Sequence, residues 1–367
     1  MRLVTRPPVK QDEIVEHLRG KIVKGDLKPG ERLPTRLDIE EQFMVSSLTV
    51  QRAFDRLIED GFITASGRKG TFVSEAPPHL HHFALSFPQL MGDLNWVKFW
   101  SVLIHVAREI EKQGEYRISI FQGINKVVGG EDYHALTNAV CARRLAGIFF
   151  ATNPFVIAGT PILDLPGIPR VAMMGRSEFP GVAAISFLPE DFIRRAVKHL
   201  AAQGRKRIGF ILVPGFTSHA ADMIQRVLAG QGLAYQPLAV QMALQSEAGW
   251  VSNLTQMMVK GAPGERPDGL VIVDDNLTEY ACAGVLQAGI QAPRELEVVA
   301  HCNFPSPAPN LIPVTRLGYD IFELFHTCIQ ILERQRNGET FDKILLFSPK
   351  FEGEVRVEHR LAGMGAM

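Results

Sequence analysis

The stretch Ser46–Val73, SSLTVQRAFDRLIEDGFITASGRKGTFV, decides the reading of this chain. Val50, Ala53, Phe54, Leu57 and Ile58 recur at helical spacing and predict one buried stripe. Ser46 is a natural N-cap for that helix, and Gly61 ends it. Phe62-Ile63-Thr64 and Thr71-Phe72-Val73 read as two short strands. Between them Gly67 and Gly70 bracket Arg68 and Lys69, which puts two positive charges at the tip of a tight turn. Such a tip is either solvated surface or a finger for a polyanion, and the residues upstream separate the two.

Ile14, Leu18, Ile22 and Val23 give Gln11 to Lys24 the pattern of an amphipathic helix, stopped by Gly25-Asp26 and Pro29-Gly30. In LPTRLDIEEQF, Thr35 caps the next helix, with Asp38 closing a box-like arrangement. Met44-Val45 is a short connection. The order is helix, helix, tight turn, helix and two-stranded ribbon, a winged helix-turn-helix. In this motif the helix after the tight turn enters the DNA major groove N-terminal end first. Ser46, Ser47 and Thr49 then reach phosphates or base edges, Gln51 suits adenine, and Arg52 suits a phosphate or guanine. Arg68 and Lys69 are placed to clamp the backbone or enter the minor groove.

Residues 10–74 resemble the DNA-binding domain of the GntR family of bacterial transcription regulators. GDLKPGERLPT, EEQFMVSSLTVQRAFDRLIEDGFI and KGTFV carry the likeness. The resemblance adds Thr35 and Arg36 to the DNA-contacting set. It is incomplete where the family has arginines: this chain has Leu37, with Arg36 beside it, and then Ser47 and Gln51. The operator sequence therefore does not carry over from relatives.

The whole chain has 367 residues, 39 Lys+Arg against 39 Asp+Glu, and 46% hydrophobic residues. That suits two domains and a sizeable core. Zero net charge means that nucleic-acid binding must come from local placement. Cys141, Cys282, Cys302 and Cys328 form no C-x-x-C pair and read as reduced core thiols. The N-terminus has no signal-peptide pattern and no apolar run spans a bilayer, so a cytoplasmic protein without membrane association is expected.

Ser74 to His82, SEAPPHLHH, reads as a joint, setting boundaries of 1–74 for the reader, 75–82 for the linker and 83–367 for the rest. His79, His81 and His82 suit a surface joint better than a metal site. Beyond it, continuous apolar runs such as FALSF, YRISIF, LAGIFFA, PRVAMMG, KRIGFIL, GLVIVDD and LEVVAHC alternate with helical stretches. This pattern predicts an α/β domain of parallel sheets covered on both faces.

This half resembles the effector domain of LacI/GalR-type repressors, shared with type I periplasmic sugar-binding proteins. The likeness rests on PEDFIRRAVKHLAAQGRKRIGFIL, RPDGLVIVDDNLTEYACAGVLQAGIQAPRELEVVAHCNFP and TRLGYDIFELFHTCIQILERQRNGE. It implies two doubly wound lobes joined by three crossovers, with a ligand between them at the carboxyl ends of strands. On that resemblance Asp274, Asp275 and Asn303 are candidate effector contacts, with Trp96 and Trp100 as ring covers, Arg176 at the end of the PRVAMMG strand and Trp250 at a helix start near the hinge side. Relatives' arginine falls at Ala221 unless a gap aligns Arg226, and their aspartate is missing around Ser186-Phe187.

The function expected is a ligand-responsive regulator, a repressor, whose homodimer binds double-stranded operator DNA and answers a sugar or related metabolite. The alternative is a GntR-like reader fused to a pyridoxal-phosphate aminotransferase-like domain. No phosphate loop, G-x-S-x-G elbow or H-E-x-x-H motif is present, so no catalytic residue, metal or cofactor is expected.

Overall fold

The computed structural model describes residues 10–126, 129–175, 179–214, 219–305, 310–341 and 343–361. The first unit packs α1 (Lys10–Lys24), α2 (Arg36–Phe43) and α3 (Ser47–Glu59) behind the antiparallel ribbon β1 (Ile63–Ala65) and β2 (Thr71–Val73). Thr35 and Asp38 form the capping box of α2: Asp38 N donates to Thr35 Oγ1 at 3.3 Å and Thr35 N to Asp38 Oδ2 at 2.8 Å. Met44, with φ 51°, turns the chain into α3, whose N-cap is Ser46. Ile14, Leu18, Ile39, Phe54, Leu57 and Phe62 form one core. Ile58 is not part of it: at 39% exposure it lies on the flank of α3, one step past the stripe that Val50, Ala53, Phe54 and Leu57 bury.

A single helical turn, α4 (Pro78–His81), leads straight into β3 (His82–Ser86). The elements that follow are α5 (Lys98–Lys112), β4 (Arg117–Phe121), α6 (Glu131–Cys141), β5 (Gly147–Phe150), α7 (Pro161–Asp164), β6 (Arg170–Met173) and β7 (Val182–Phe187). The chain then crosses to a second lobe built from α8 (Pro189–Ala202), β8 (Ile208–Leu212), α9 (Ala220–Ala229), β9 (Val240–Met242), α10 (Trp250–Val259), β10 (Gly269–Ile272), α11 (Asp275–Gln287), β11 (Glu297–Phe304) and β12 (Thr315–Asp320). It returns as α12 (Ile321–Arg336) and β13 (Leu345–Phe347), and crosses once more to β14 (Lys350–Phe351) and α13 (Val357–Leu361).

Each lobe is a six-stranded sheet, in the orders β13-β7-β6-β5-β3-β4 and β14-β12-β11-β10-β8-β9. All neighbours pair in parallel except β12 with β14. Both faces of both sheets are covered, as continuous apolar strands require. The three crossovers lie between Phe187 and Pro189, between Asp320 and Ile321, and between Phe347 and Lys350. The fold is therefore the expected α/β one: a winged reader followed by two doubly wound lobes.

Some local expectations change. α11 begins at Asp275, because Asp274 caps it by accepting from Asn276 N at 2.8 Å. β7 (VAAISF) and β12 (TRLGYD) are strands that alanine, glycine and charge conceal in the sequence. Gly318 has a steric role in β12: a Cβ there would lie 1.7 Å from the Cys302 carbonyl oxygen. Cys141 is exposed, so it is not a core thiol; Cys282, Cys302 and Cys328 are buried, and burial pushes the Cys282 thiol up to about 11.

Candidate functional site

The reader presents its N-terminal helix turn and its wing. Ser46 Oγ accepts from Thr49 N at 3.4 Å and lies 3.0 Å from Thr49 Oγ1, so this hydroxyl pair first holds the helix start. Ser47, Leu48 and Arg52 are exposed. Gln51 Nε2 donates to Asp55 Oδ1 at 2.6 Å, which ties the amide along its own helix. Arg56 pairs with Asp12 at 2.9 Å instead of with Asp55 or Glu59. The outer face of α3 thus runs from hydroxyl and basic groups at its start to Asp55 and Glu59 near its end. Only the first turns, with the positive end of the helix dipole, suit a phosphate surface.

The wing tip is a 3₁₀ turn, Gly67–Lys69, with Gly67 at φ 49° and Gly70 at φ 108°. Arg68 and Lys69 are exposed. Arg32, overlooked in the sequence because it lies far from the turn, bridges to Phe72 and crosses over Gly70, where a Cβ would come within 3.0 Å of its Nε. It adds a third cation to the wing. Thr35 Oγ1 accepts the Asp38 N–H in its capping box, and the Arg36 guanidinium rests 5.9 Å from the Phe54 ring centroid.

The second candidate site lies where the lobes meet. Asp274 follows β10 and accepts from Asn276 N and Nδ2 at 2.8 and 2.7 Å and from Gln245 Nε2 at 2.5 Å. Asp275 is buried and accepts from Asn303 Nδ2 at 2.8 Å. Burial raises its carboxyl above the usual range, opposed by the charge of His301, the Asn303 hydrogen bond and Lys98. Lys98, the first residue of α5, reaches across from lobe 1: its backbone N donates to Asn276 Oδ1 at 3.0 Å and its Nζ to the Asp275 carbonyl at 3.2 Å. Asn303 Oδ1 and His301 Nδ1 are buried with no hydrogen-bond partner among the described residues. Unpaired buried polar atoms are uncommon and mark a place for a ligand or water.

Aromatic side chains run through the same junction. Phe99 meets Phe187 at 5.5 Å, Phe187 stacks on Tyr319 at 3.8 Å, and His301 lies 5.6 Å from both Tyr319 and Phe192. Trp96 and Trp100 pack edge to face at 5.2 Å, and both touch Phe87. Trp100 is buried in the lobe 1 core, while the Trp96 Nε1 donates to Ser101 Oγ at 2.8 Å. The structure thus brings Asp274, Asp275 and Asn303 together. Trp250, at 70% exposure, opens α10 and takes no part in this aromatic chain. Arg176 lies outside the described residues. Lys98, Asn276 and His301 escaped sequence reasoning; Asn276 sits directly after the aspartate pair, whereas only the fold brings Lys98 there.

Comparison with known proteins bears on both halves of the chain. Residues 10–73 match bacterial regulatory proteins of the gntR family, and residues 197–346 match a periplasmic binding protein-like domain. The chain thus joins a gntR-type helix-turn-helix domain to a periplasmic-binding-protein-like domain. The chain is 22% identical over 364 residues to an arabinose metabolism transcriptional repressor of Halalkalibacterium halodurans, covering 93% of this chain and 94% of that one. It is 20% identical to the arabinose metabolism transcriptional repressor of Geobacillus stearothermophilus, covering 92% and 94%. The mannosyl-D-glycerate transport/metabolism system repressor of Escherichia coli is 34% identical over 82 residues, covering 22% of this chain and 34% of that one. Among solved structures, a LacI-family regulatory protein from Chloroflexus aggregans superposes with TM-score 0.55 at 18% identity over 74% of this chain and 96% of its own. A glucose-bound LacI-family regulator from Lactobacillus casei gives TM-score 0.51 at 16% identity, covering 74% and 98%. These two likenesses concern the fold. The two six-stranded lobes replace the aminotransferase-like alternative. No helix among the described residues is long and apolar enough to cross a membrane.

Proposed function

We propose that this chain is a cytoplasmic transcriptional repressor that binds operator DNA as a homodimer and is controlled by a sugar held between its lobes. The observation that carries the reading is the joining, in one chain, of a winged reader to a two-lobed receptor, paralleled along nearly its whole length by two arabinose repressors. In this reading residues 1–74 read DNA, 75–82 join, and 83–367 sense the effector. Ser46, Ser47, Thr49, Gln51 and Arg52 meet the major groove, helped by Thr35 and Arg36 at the preceding cap, while Arg32, Arg68 and Lys69 grip the backbone beside it.

Asp274, Asp275 and Asn303 take the polar edge of the ligand, because carboxylates and amide oxygens accept hydroxyl hydrogens. Asn303 Oδ1 and His301 Nδ1 supply polar groups that find no partner among the described residues. Trp96 and the Phe99–Phe187–Tyr319 series offer flat apolar faces to sugar C–H groups. Ligand binding alters the Lys98 contacts across the junction, which changes the lobe angle and couples the receptor to the reader.

Two measurements test this. Fluorescence anisotropy should show salt-sensitive preference for a duplex from the chain's own promoter over a random duplex. A thermal-shift screen of pentoses and hexoses, beginning with arabinose, should raise the melting point by mass action. The same sugar should weaken operator binding. Equal affinity for promoter and random duplex contradicts the DNA reading; no shift with any sugar contradicts the effector reading alone.

A further inference from the structure

The reader is fastened to lobe 1 by more than the peptide joint. Asp60 is the C-cap of α3. Arg19 Nη2 of α1 donates to its Oδ2 at 2.7 Å, and Arg144 Nη1, on the turn before β5, donates to its Oδ1 at 3.0 Å. The Asp60 side chain is 10% exposed and that of Arg19 2%. A carboxylate so far removed from water is costly unless both oxygens are paired, and only Arg144 of lobe 1 completes the set. Arg19 also donates to Glu16 Oε1 at 2.7 Å and lies over the Phe62 ring at 5.5 Å.

A second tether lies beside the first. Phe62 stacks on His79 of α4 at 5.9 Å, and Arg336 Nη1 at the end of α12 donates to the carbonyls of His79 and Leu80 at 3.3 and 3.4 Å. Arg144 itself stands on a fixed segment, since its N donates to the Ala139 carbonyl at 2.9 Å and Ala146 N to that of His82 at 2.6 Å. α12 starts at the Asp320 crossover and ends at this tether, a rigid rod of about 24 Å between the lobe junction and the joint.

We infer that Arg144 is a positioning residue for DNA recognition. It docks the C-terminal end of the recognition helix on lobe 1, so that lobe geometry sets the direction and spacing of two recognition helices in a dimer. This rests on the DNA-binding function proposed above. A reader freed from Arg144 keeps its own fold and its half-site contacts and loses its fixed orientation.

The test uses the full chain as wild type, Arg144→Ala and Arg144→Lys. Hydrogen exchange is followed in residues 76–82, and binding is measured to promoter duplexes with native half-site spacing or with about 5 bp inserted, half a helical turn. The insertion should weaken wild type at least ~10-fold and Arg144→Ala by under ~3-fold, with single half-site affinity unchanged. Joint amides of Arg144→Ala should exchange at least ~10-fold faster while the lobes melt as in wild type, and Arg144→Lys should restore slow exchange and the spacing preference. Wild-type exchange in Arg144→Ala, or a wild-type spacing penalty, overturns the inference. If wild type shows no preference for promoter DNA, the DNA reading fails separately and the exchange result alone decides the docking.

Discussion

Removing the wing charges gives the most direct quantitative test of DNA contact. Arg68 and Lys69 are exposed at a tip whose shape is set by glycines at φ 49° and 108°, not by the two cations. Replacing them by alanine therefore leaves the reader folded. Each cation that neutralises one phosphate adds about 0.9 to the slope of log affinity against log salt. A dimer carries two wings, so Arg68→Ala lowers the slope by about 1.8 and the double substitution by about 3.6. Between about 50 and 200 mM salt, a slope change of 1.8 narrows the salt effect by roughly 12-fold. Fluorescence anisotropy across a salt series, on promoter and random duplexes alike, reads this out, with the melting point as a fold control. If the variants keep the wild-type slope on both duplexes, the wing does not touch the phosphates and the role given to Arg68 and Lys69 is wrong.

Three further outcomes follow from packing and charge. Ser46→Ala removes the side-chain acceptor for Thr49 N and should cost the reader about 1 kcal/mol, measured by urea denaturation of the full chain, whereas Ser46→Asp should preserve the cap. Gly284→Ala places a Cβ 2.3 Å from the Ser252 carbonyl oxygen where α10 crosses α11, and should destabilise lobe 2 by roughly 1–3 kcal/mol or more; unchanged melting would refute that contact. His79 and His82 are pushed down to about 4, first by burial and then by Arg336 at His79 and Arg117 at His82, so both stay neutral when folded. The unfolded chain binds these protons from about pH 6.5 downward, so their contribution is intact above that value and is lost as pH falls toward 4. A melting point that stays flat between pH 7 and pH 4.5 would contradict this.

Much of the reader was legible because its signals are local. Helical spacing, the Thr35 and Ser46 caps and the Gly67–Gly70 bracket each act within a few residues. The alternating lobes were legible from apolar runs, but β7 and β12 were not, since their strand state depends on neighbours such as β11 rather than on their own alanine, glycine and charged residues. At the lobe junction, Asp274, Asp275 and Asn303 were found through the ends of strands. Lys98 and His301 were missed because nothing in their local sequence distinguishes them from a surface lysine and an internal histidine.

Sequence alone thus determined the order of elements, the polar start of the recognition helix, the cationic wing and the alternating α/β pattern behind it. These follow from periodicity, capping and turn chemistry, which short-range sterics and hydrogen bonding enforce. The two-lobed receptor class came only with the family resemblance. Tertiary structure alone decided that Asp60 is held between Arg19 and Arg144. It also decided that Lys98 bridges the lobes and that Asn303 Oδ1 is buried with no partner among the described residues. Such facts depend on which residues, distant in the chain, desolvate one another, and a buried charge or amide takes its role from that company.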